Sequence, residues 1–212
     1  MITVHHLNNS RSQRILWLLE ELGADYEIVP YQRDPATNLA PPELKRAHPL
    51  GKSPLIVEDG LRVAESGAII QYLCERHGGL PGTKEAWLPD PASEDHVRHL
   101  EWMQFGESSF FVPVMLKIMA GRLGEAGAPI MPRIEDQLAA HVAFAEDNIR
   151  PSLHFVGDDW TAADVMMSFP AEIAVMQGFA PSAPGLAAFV DAIHARPAWQ
   201  RARERGGPYF GW

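Results

Sequence analysis

The sequence predicts an α/β N-terminal domain followed by an all-helical C-terminal domain. Strand and helix signals alternate over residues 1–79, a proline-rich stretch covers 80–91, and only helical patterns follow in 92–212. With 46% hydrophobic residues in a chain of 212, a substantial core can be buried. We therefore predict two domains joined by a linker at 80–91.

The chain opens with a β-α-β pattern. Ile2–Leu7 carries bulky residues on both parities, which is typical of a strand buried on both faces. Apolar residues at helical spacing predict an amphipathic helix over Ser12–Leu22, and Gly23 is a helix stop. Tyr26–Tyr31 is the next strand. Because its Pro30 cannot donate a hydrogen bond, we expect this strand at a sheet edge, parallel to the first.

A long polar loop over 32–53, with at most a short helix near Glu43–Ala47, precedes a predicted hairpin. Its strands, Pro54–Val57 and Leu61–Ala64, flank the turn dipeptide Asp59-Gly60. Ser66 is then predicted to cap a helix that runs to His77. The order β-α-β, loop, β-β-α is that of the thioredoxin fold, here without a Cys-x-x-Cys motif.

The second domain shows only helical signals. A long helix is predicted from Asp90 towards Gly121, with a kink at Pro113. Thr161-Ala162-Ala163-Asp164 is a capping box whose role should be structural. Further helices are predicted from Pro132 and over Thr161–Gly178, Gly185–Arg196 and Pro197–Arg205.

Composition excludes several classes of function. A net charge of −9 argues against nucleic-acid binding, which rests on cationic side chains. The single cysteine, Cys74, excludes an intrachain disulfide and fits a reducing compartment. No apolar run is long enough to span a membrane, the N-terminus does not resemble a signal peptide, and the histidines lack metal-binding spacing. We expect a cytoplasmic protein with no metal and no membrane partner.

The segment Asn9-Ser10-Arg11-Ser12 joins the first strand to the first helix. A helix N-terminus stabilises an anion, and a serine hydroxyl there could donate a hydrogen bond to a thiolate. The simpler interpretation is that Ser10 or Ser12 caps the helix.

Two further segments suit a small peptide. In a thioredoxin-like fold, a cis proline at Pro54 would leave the Ser53 backbone to pair with a ligand as an extra strand; a trans proline that starts a strand is the alternative. Glu65 could bind an ammonium group and Ser66 a carboxylate, as the two ends of an α-amino acid require. An ordinary N-cap with an acidic neighbour is the simpler interpretation.

With the segments described above in this order and at this spacing, the sequence resembles the cytosolic glutathione transferases over essentially its whole length. The matching stretches are Ser10-x-x-x-Arg14, Pro49-Leu50-Gly51-Lys52-Ser53-Pro54, Glu65-Ser66-Gly67-Ala68-Ile69, Thr161-Ala162-Ala163-Asp164 and Arg196-Pro197-Ala198-Trp199. It is similar to the serine-type, theta-like bacterial and fungal subgroup. His48 stands where the family commonly has asparagine.

The resemblance implies a detoxifying homodimer that uses glutathione as co-substrate, without a metal. The implied roles are sulfur contact by Ser10, the glycine carboxylate at Lys52, the cysteinyl unit at the backbone of Ser53 before Pro54, and the γ-glutamyl end at Glu65 and Ser66. Asn9 is included in the glutathione site, and Asn9 or Ser12 are alternatives for the sulfur contact.

We expect the second substrate to be a small apolar electrophile over the long helix. Trp102, Phe105 and Ser109 share a helix face there, and the tail Phe210–Trp212 is expected to cover the opening; plain core packing is the alternative. A peroxide is the other target considered for the thiol, and a glutathione-dependent isomerase or dehalogenase is an enzymatic alternative that no sequence feature separates from a transferase. A non-catalytic binding or regulatory protein with this fold is the alternative of another class.

Overall fold

The computed structural model describes residues 1–80 and 86–210. These residues form two compact units. The first unit consists of residues 1–80 and 194–210, and the second unit consists of residues 86–193. The chain's last helix therefore clusters with the N-terminal unit, although its sequence pattern placed it in the helical domain.

A four-stranded mixed sheet forms the centre of the first unit. Its strands are β1 (Ile2–Leu7), β2 (Tyr26–Tyr31), β3 (Leu55–Glu58) and β4 (Leu61–Ala64), in the spatial order β2-β1-β3-β4. β1 and β2 are parallel, and the other pairs are antiparallel. Pro30 lies on edge strand β2, as its missing N–H requires. This arrangement confirms the predicted thioredoxin-like fold.

The helices of the first unit are α1 (Ser12–Leu22), α2 (Leu44–Ala47), α3 (Ser66–His77) and, from the end of the chain, α9 (Pro197–Gly206). Ile15, Leu18 and Leu19 of α1 are fully buried, and Gly23 ends the helix with φ 61°. Ion pairs tie α9 to α1: Arg196 meets Glu21, and Arg201 and Arg205 both meet Glu20. These contacts explain why α9 belongs to this unit.

The second unit is helical. Its helices are α4 (Glu94–Gln104), α5 (Phe111–Arg122), α6 (Met131–Asn148), α7 (Ala162–Met176) and α8 (Pro184–His194). The predicted start at Asp90 was wrong. Ser93 is the N-cap of α4 and accepts from the His96 N–H at 3.2 Å, while Asp90 closes the preceding turn through the Ala92 N–H at 2.9 Å.

The predicted long helix is interrupted, but upstream of Pro113. A π-helical turn, Phe105–Ser109, separates α4 from α5, and the Phe110 N–H donates to the Phe105 carbonyl five residues back at 2.8 Å. Pro113 has no N–H for the Ser109 carbonyl, and its ring disfavours the regular turn there. A 3₁₀ segment, Gly124–Ile130, then leads to α6 and was not predicted.

The capping box at the start of α7 is present, as predicted. Asp164 is fully buried and accepts from the Thr161 N–H at 2.7 Å, the Thr161 hydroxyl at 3.0 Å and the Phe155 N–H at 2.9 Å. It thereby joins the helix to the loop before it. No described helix is long and apolar enough to cross a membrane.

Candidate functional site

A cavity of about 90 Å³ in the first unit brings five of the predicted residues together. Its lining consists of Lys52, Ser53, Pro54, Glu65 and Ser66, which were predicted, and Arg11, His48, Leu50 and Ala64, which were not. The Ser53–Pro54 peptide bond is cis. Arg11 had a usable signal in the sequence, because it stands at the start of α1 next to Ser10.

The Ser53 side chain is held by β1. Its hydroxyl donates to the His5 carbonyl at 2.8 Å and accepts from the Leu7 N–H at 3.2 Å. The β1–β3 pairing begins only at Leu55, so Ser53 and Pro54 lie just before it. With its hydroxyl occupied, Ser53 can offer a ligand its backbone.

The prediction that Ser66 caps α3 was wrong by one position. Glu65 is the N-cap of α3, with φ 71°, and Ser66 is the first helical residue. Ser66 is only 3% exposed, and its Oγ has no hydrogen-bond partner among the described residues. A buried hydroxyl without a partner costs free energy. An acceptor group of a ligand in this cavity would satisfy it.

The charged groups of the cavity have opposite signs. Arg11 and Lys52 are cationic and Glu65 is anionic, while Lys52 and Glu65 are exposed. The N-terminus of α3 adds partial positive charge beside Ser66. The set matches a short ligand that carries carboxylates and an ammonium group.

Ser10 does not line this cavity and is 5% exposed. Its Oγ accepts from the Ser12 N–H at 3.3 Å, but the N-cap of α1 is Arg11, so neither serine is the capping residue. It also lies 2.8 Å from Ser12 Oγ, which in turn lies 2.8 Å from His6 Nδ1. Both serines are therefore engaged at the start of α1.

Asn9 also lies outside the cavity lining, with φ 50°. Its Oδ1 accepts from the Phe210 N–H at 2.6 Å, and its carbonyl accepts from the Arg33 guanidinium at 3.2 Å. This leaves the amide Nδ2 as the donor of the side chain. Gly211 and Trp212, which complete the tail expected to cover an opening, lie outside the described residues.

The three residues predicted for the second substrate are not equivalent. Trp102 is 4% exposed, and its ring packs against the rings of Phe105, Phe144 and Phe155 at 4.6–5.5 Å between centroids. Phe105 and Ser109 line an open groove of about 490 Å³ within the second unit. The rest of that lining is Glu101, Gln104, Ala140, His141 and Phe144.

Because His6 is buried, we expect the free energy of unfolding to decrease in acid. Burial lowers its pKa to about 4, against the opposing effect of its hydrogen bond to the Gly206 carbonyl. Above pH 6.5 neither the folded nor the unfolded chain binds this proton, whereas between pH 6.5 and 4 only the unfolded chain does. Stability should therefore fall by on the order of 3 kcal/mol across this window.

Denaturant unfolding of the wild type and His6→Gln at a series of pH values measures this loss. His99, whose pKa burial also lowers to about 4, and the carboxylates contribute to both proteins and cancel in the difference. Equal pH slopes in the two proteins would contradict the expectation.

Neither a metal centre nor a reactive cysteine emerges from the described residues. No three His, Cys, Asp or Glu side chains within 1–80 and 86–210 are grouped to hold a metal ion. Cys74 is buried within α3, and burial raises the pKa of its thiol. The cavity beside Pro54 is thus the principal candidate site.

Known proteins resemble the chain over nearly its whole length. Residues 1–75 match the family described as Glutathione S-transferase, N-terminal domain. Glutathione S-transferase 3 of Schizosaccharomyces pombe is 32% identical over 97% of this chain and 88% of its own length. The chain belongs to the glutathione S-transferase family. Another family member, Glutathione S-transferase 1 of Saccharomyces cerevisiae, is 29% identical over 97% of the chain and 95% of its own length.

Solved structures agree with the family assignment. A glutathione S-transferase from Actinobacillus pleuropneumoniae has a TM-score of 0.87 and 32% identity, covering 97% of this chain and 93% of that one. A glutathione transferase from Phanerochaete chrysosporium, solved with oxidized glutathione, has a TM-score of 0.77 at 20% identity over 97% and 94%. The latter likeness shows the fold alone. The narrower assignment to the serine-type subgroup stays a prediction.

Proposed function

We propose that this family member is an enzyme that binds glutathione beside Pro54 and activates its thiol for attack on an electrophile. One observation carries the proposal: the cavity gathers Lys52, Glu65 and the buried hydroxyl of Ser66, which has no partner in the described part of the chain, around the backbone of Ser53. A short zwitterionic peptide needs this combination of a cation, a carboxylate, a hydroxyl and an extended backbone partner.

The roles follow from the chemistry of each group. Lys52 pairs with the glycine carboxylate, and the Ser53 backbone pairs with the cysteinyl unit. Glu65 binds the γ-glutamyl ammonium, and Ser66 donates to the adjacent carboxylate at the N-terminus of α3. Arg11, in the same lining, adds a second cation for a ligand with two carboxylates.

For the sulfur contact we propose Ser10, the residue of the serine-type, theta-like subgroup. Its hydroxyl lies 2.8 Å from Ser12 Oγ and must turn from Ser12 to reach a sulfur atom. Asn9 is the alternative donor, because the Phe210 N–H occupies its Oδ1 and leaves Nδ2. The Ser12 hydroxyl is bonded to His6 and is the weakest of the three candidates.

One hydrogen bond is enough for a large effect on the thiol. A free thiol has a pKa of about 8.5, so only a few per cent is ionised near neutrality. A hydrogen bond to a charged group contributes about 1.5–3 kcal/mol, equivalent to one to two pKa units, and a helix N-terminus adds about 0.3–1 kcal/mol. Much of the bound thiol would then be thiolate at neutral pH without a general base.

We assign the second substrate to the class of small apolar electrophiles, with Phe105 and Ser109 as contacts. The buried ring of Trp102 packs against Phe105. The same thiolate would also react with a peroxide. The protein would act as a homodimer in the cytoplasm. These assignments follow the family resemblance.

The proposal is tested by calorimetric titration of glutathione, followed by ultraviolet titration of the bound thiol. S-methylglutathione is the matched probe, since it keeps the charged groups but has no ionisable thiol. Binding of both, with a thiol pKa clearly below about 8.5, is the expected result. If neither binds, the transferase proposal fails. Binding with an unshifted pKa favours the non-catalytic binding protein.

Ser10→Ala should lower turnover with an activated aryl halide at pH 7 by about 10- to 25-fold, because a rise of one to two pKa units reduces the ionised fraction of the bound thiol to a few per cent. Glutathione affinity should stay within about twofold, since the peptide is held elsewhere. Ser108→Ala is the matched control, because its hydroxyl bonds only a backbone carbonyl in the second unit. Lost binding with normal turnover per bound molecule would rule out the assigned role.

A further inference from the structure

A continuous hydrogen-bond chain leads from Ser10 to the last helix of the first unit. Ser10 Oγ lies 2.8 Å from Ser12 Oγ, Ser12 Oγ lies 2.8 Å from His6 Nδ1, and His6 Nε2 lies 3.1 Å from the Gly206 carbonyl oxygen. All three side chains are at least 95% buried. With the sulfur contact assigned to Ser10, the proposed glutathione chemistry does not use Ser12 or His6.

The hydrogen bond to the Gly206 carbonyl determines which atom donates in each of the other hydrogen bonds. A carbonyl oxygen only accepts, so His6 Nε2 carries the hydrogen and donates it to Gly206. In the neutral ring Nδ1 is then an acceptor, and the Ser12 hydroxyl donates to it. With its only hydrogen committed, Ser12 Oγ accepts from Ser10. The Leu7 carbonyl, at 3.3 Å from Ser12 Oγ, is the more distant competitor for that hydrogen.

The surroundings of His6 and Gly206 fix both the position and the protonation state of the ring. A side chain at Gly206 would place its Cβ 2.7 Å from Leu16 Cδ1 and 3.3 Å from His6 Nε2, so only glycine fits without displacement. Burial lowers the pKa of His6 to about 4, which keeps the ring neutral near pH 7. The His6 ring is therefore a fixed acceptor for Ser12.

We propose that Ser12 and His6 are positioning residues that direct the Ser10 hydroxyl hydrogen inward, so that Ser12 and the glutathione sulfur compete for it. This inference rests on the proposed function. The activating step is then a rotation of the Ser10 hydroxyl from Ser12 to sulfur. The thiol proton leaves to water, the Ser10–Ser12 hydrogen bond is exchanged for one from Ser10 to sulfur, and no covalent bond of the side chains is broken.

This competition has a consequence that a merely structural role would not have. Without an acceptor at position 12, the Ser10 hydroxyl has no inward partner and is released to the sulfur. Ser12→Ala should lower the pKa of the bound thiol by about half to one unit relative to the wild type, because one neutral hydrogen bond no longer has to be given up. Ser12→Thr keeps the hydroxyl and should match the wild type.

The test is ultraviolet titration of bound glutathione in the wild type, Ser12→Ala and Ser12→Thr. A thiol pKa in Ser12→Ala equal to or above that of the wild type would overturn the inference while leaving the proposed function intact. Failure of the wild type to bind glutathione would instead remove the proposed function.

Ring nitrogen NMR of ligand-free wild type gives an independent readout that does not depend on the Ser12 variants. His6→Gln identifies the resonances by their disappearance. A neutral ring with hydrogen on Nε2 is expected near pH 7. Hydrogen on Nδ1 would reverse the chain and refute the inference.

Discussion

Asp164→Ala should lower the free energy of unfolding by about 3–5 kcal/mol, the largest stability change that we predict. The carboxylate is the acceptor for the buried N–H groups of Thr161 and Phe155 and for the Thr161 hydroxyl. Each buried donor left without a partner costs about 1–3 kcal/mol, so the two N–H groups account for most of the loss.

Denaturant unfolding measures this change, and Asp158→Ala is its control. Asp158 is 86% exposed and pairs with Arg150 at 3.7 Å, so its removal should change stability by less than about 0.5 kcal/mol. A loss below about 1 kcal/mol for Asp164→Ala would mean that water or a rearranged loop satisfies the abandoned donors.

Ser66→Ala should weaken glutathione binding by about 10- to 100-fold while leaving stability unchanged or slightly increased. The binding loss follows from removing a charge-assisted hydrogen bond of about 1.5–3 kcal/mol. Stability is spared because Ser66 Oγ has no protein partner to lose among the described residues. Calorimetric titration and denaturant unfolding of the same preparation measure both quantities.

Ser168→Ala is the matched control for this second prediction. Ser168 is also buried in a helix, but its hydroxyl donates to the Val165 carbonyl at 2.8 Å within the second unit. It should show the opposite pattern, with unchanged binding and a small loss of stability. If Ser66→Ala instead loses stability and keeps its affinity, Ser66 is structural and the γ-glutamyl assignment is wrong.

Much of the fold could be predicted because local pattern and tertiary context agree. The apolar spacing of Ile15, Leu18 and Leu19 predicted α1, and all three are fully buried. Asp59-Gly60 predicted the hairpin turn, and both residues adopt positive φ. Pro30 predicted the edge strand for a reason that depends on no distant residue.

The remaining features depend on distant partners, which a linear pattern does not reveal. The position of α9 depends on its ion pairs with Glu20 and Glu21 at the other end of the chain. The break in the long helix was attributed to Pro113, but the regular hydrogen bonding is relieved at Phe105–Ser109, four residues or more earlier.

The candidate site was likewise predicted only in part. Lys52, Ser53 and Pro54 are adjacent in sequence, and their placement in one cavity with Glu65 and Ser66 follows from the hairpin that joins them. The engagement of Ser10 with Ser12 and His6 requires β1, α1 and α9 to be assembled. Sequence reasoning therefore identified Ser10 as a candidate but not the direction of its hydroxyl.

The participation of both chain ends in the first unit has a consequence for biosynthesis. During translation the sheet and α1 emerge first, whereas α9 is made after all the other described elements. The N-terminal unit therefore cannot complete its native contacts until α9 has left the ribosome, although α4 to α8 precede it in the chain and emerge earlier. A chain that ends before Pro197 would leave the face of α1 that packs against α9 without its partner. The loss of stability would fall on the N-terminal unit, although most of that unit lies far from residue 197 in sequence.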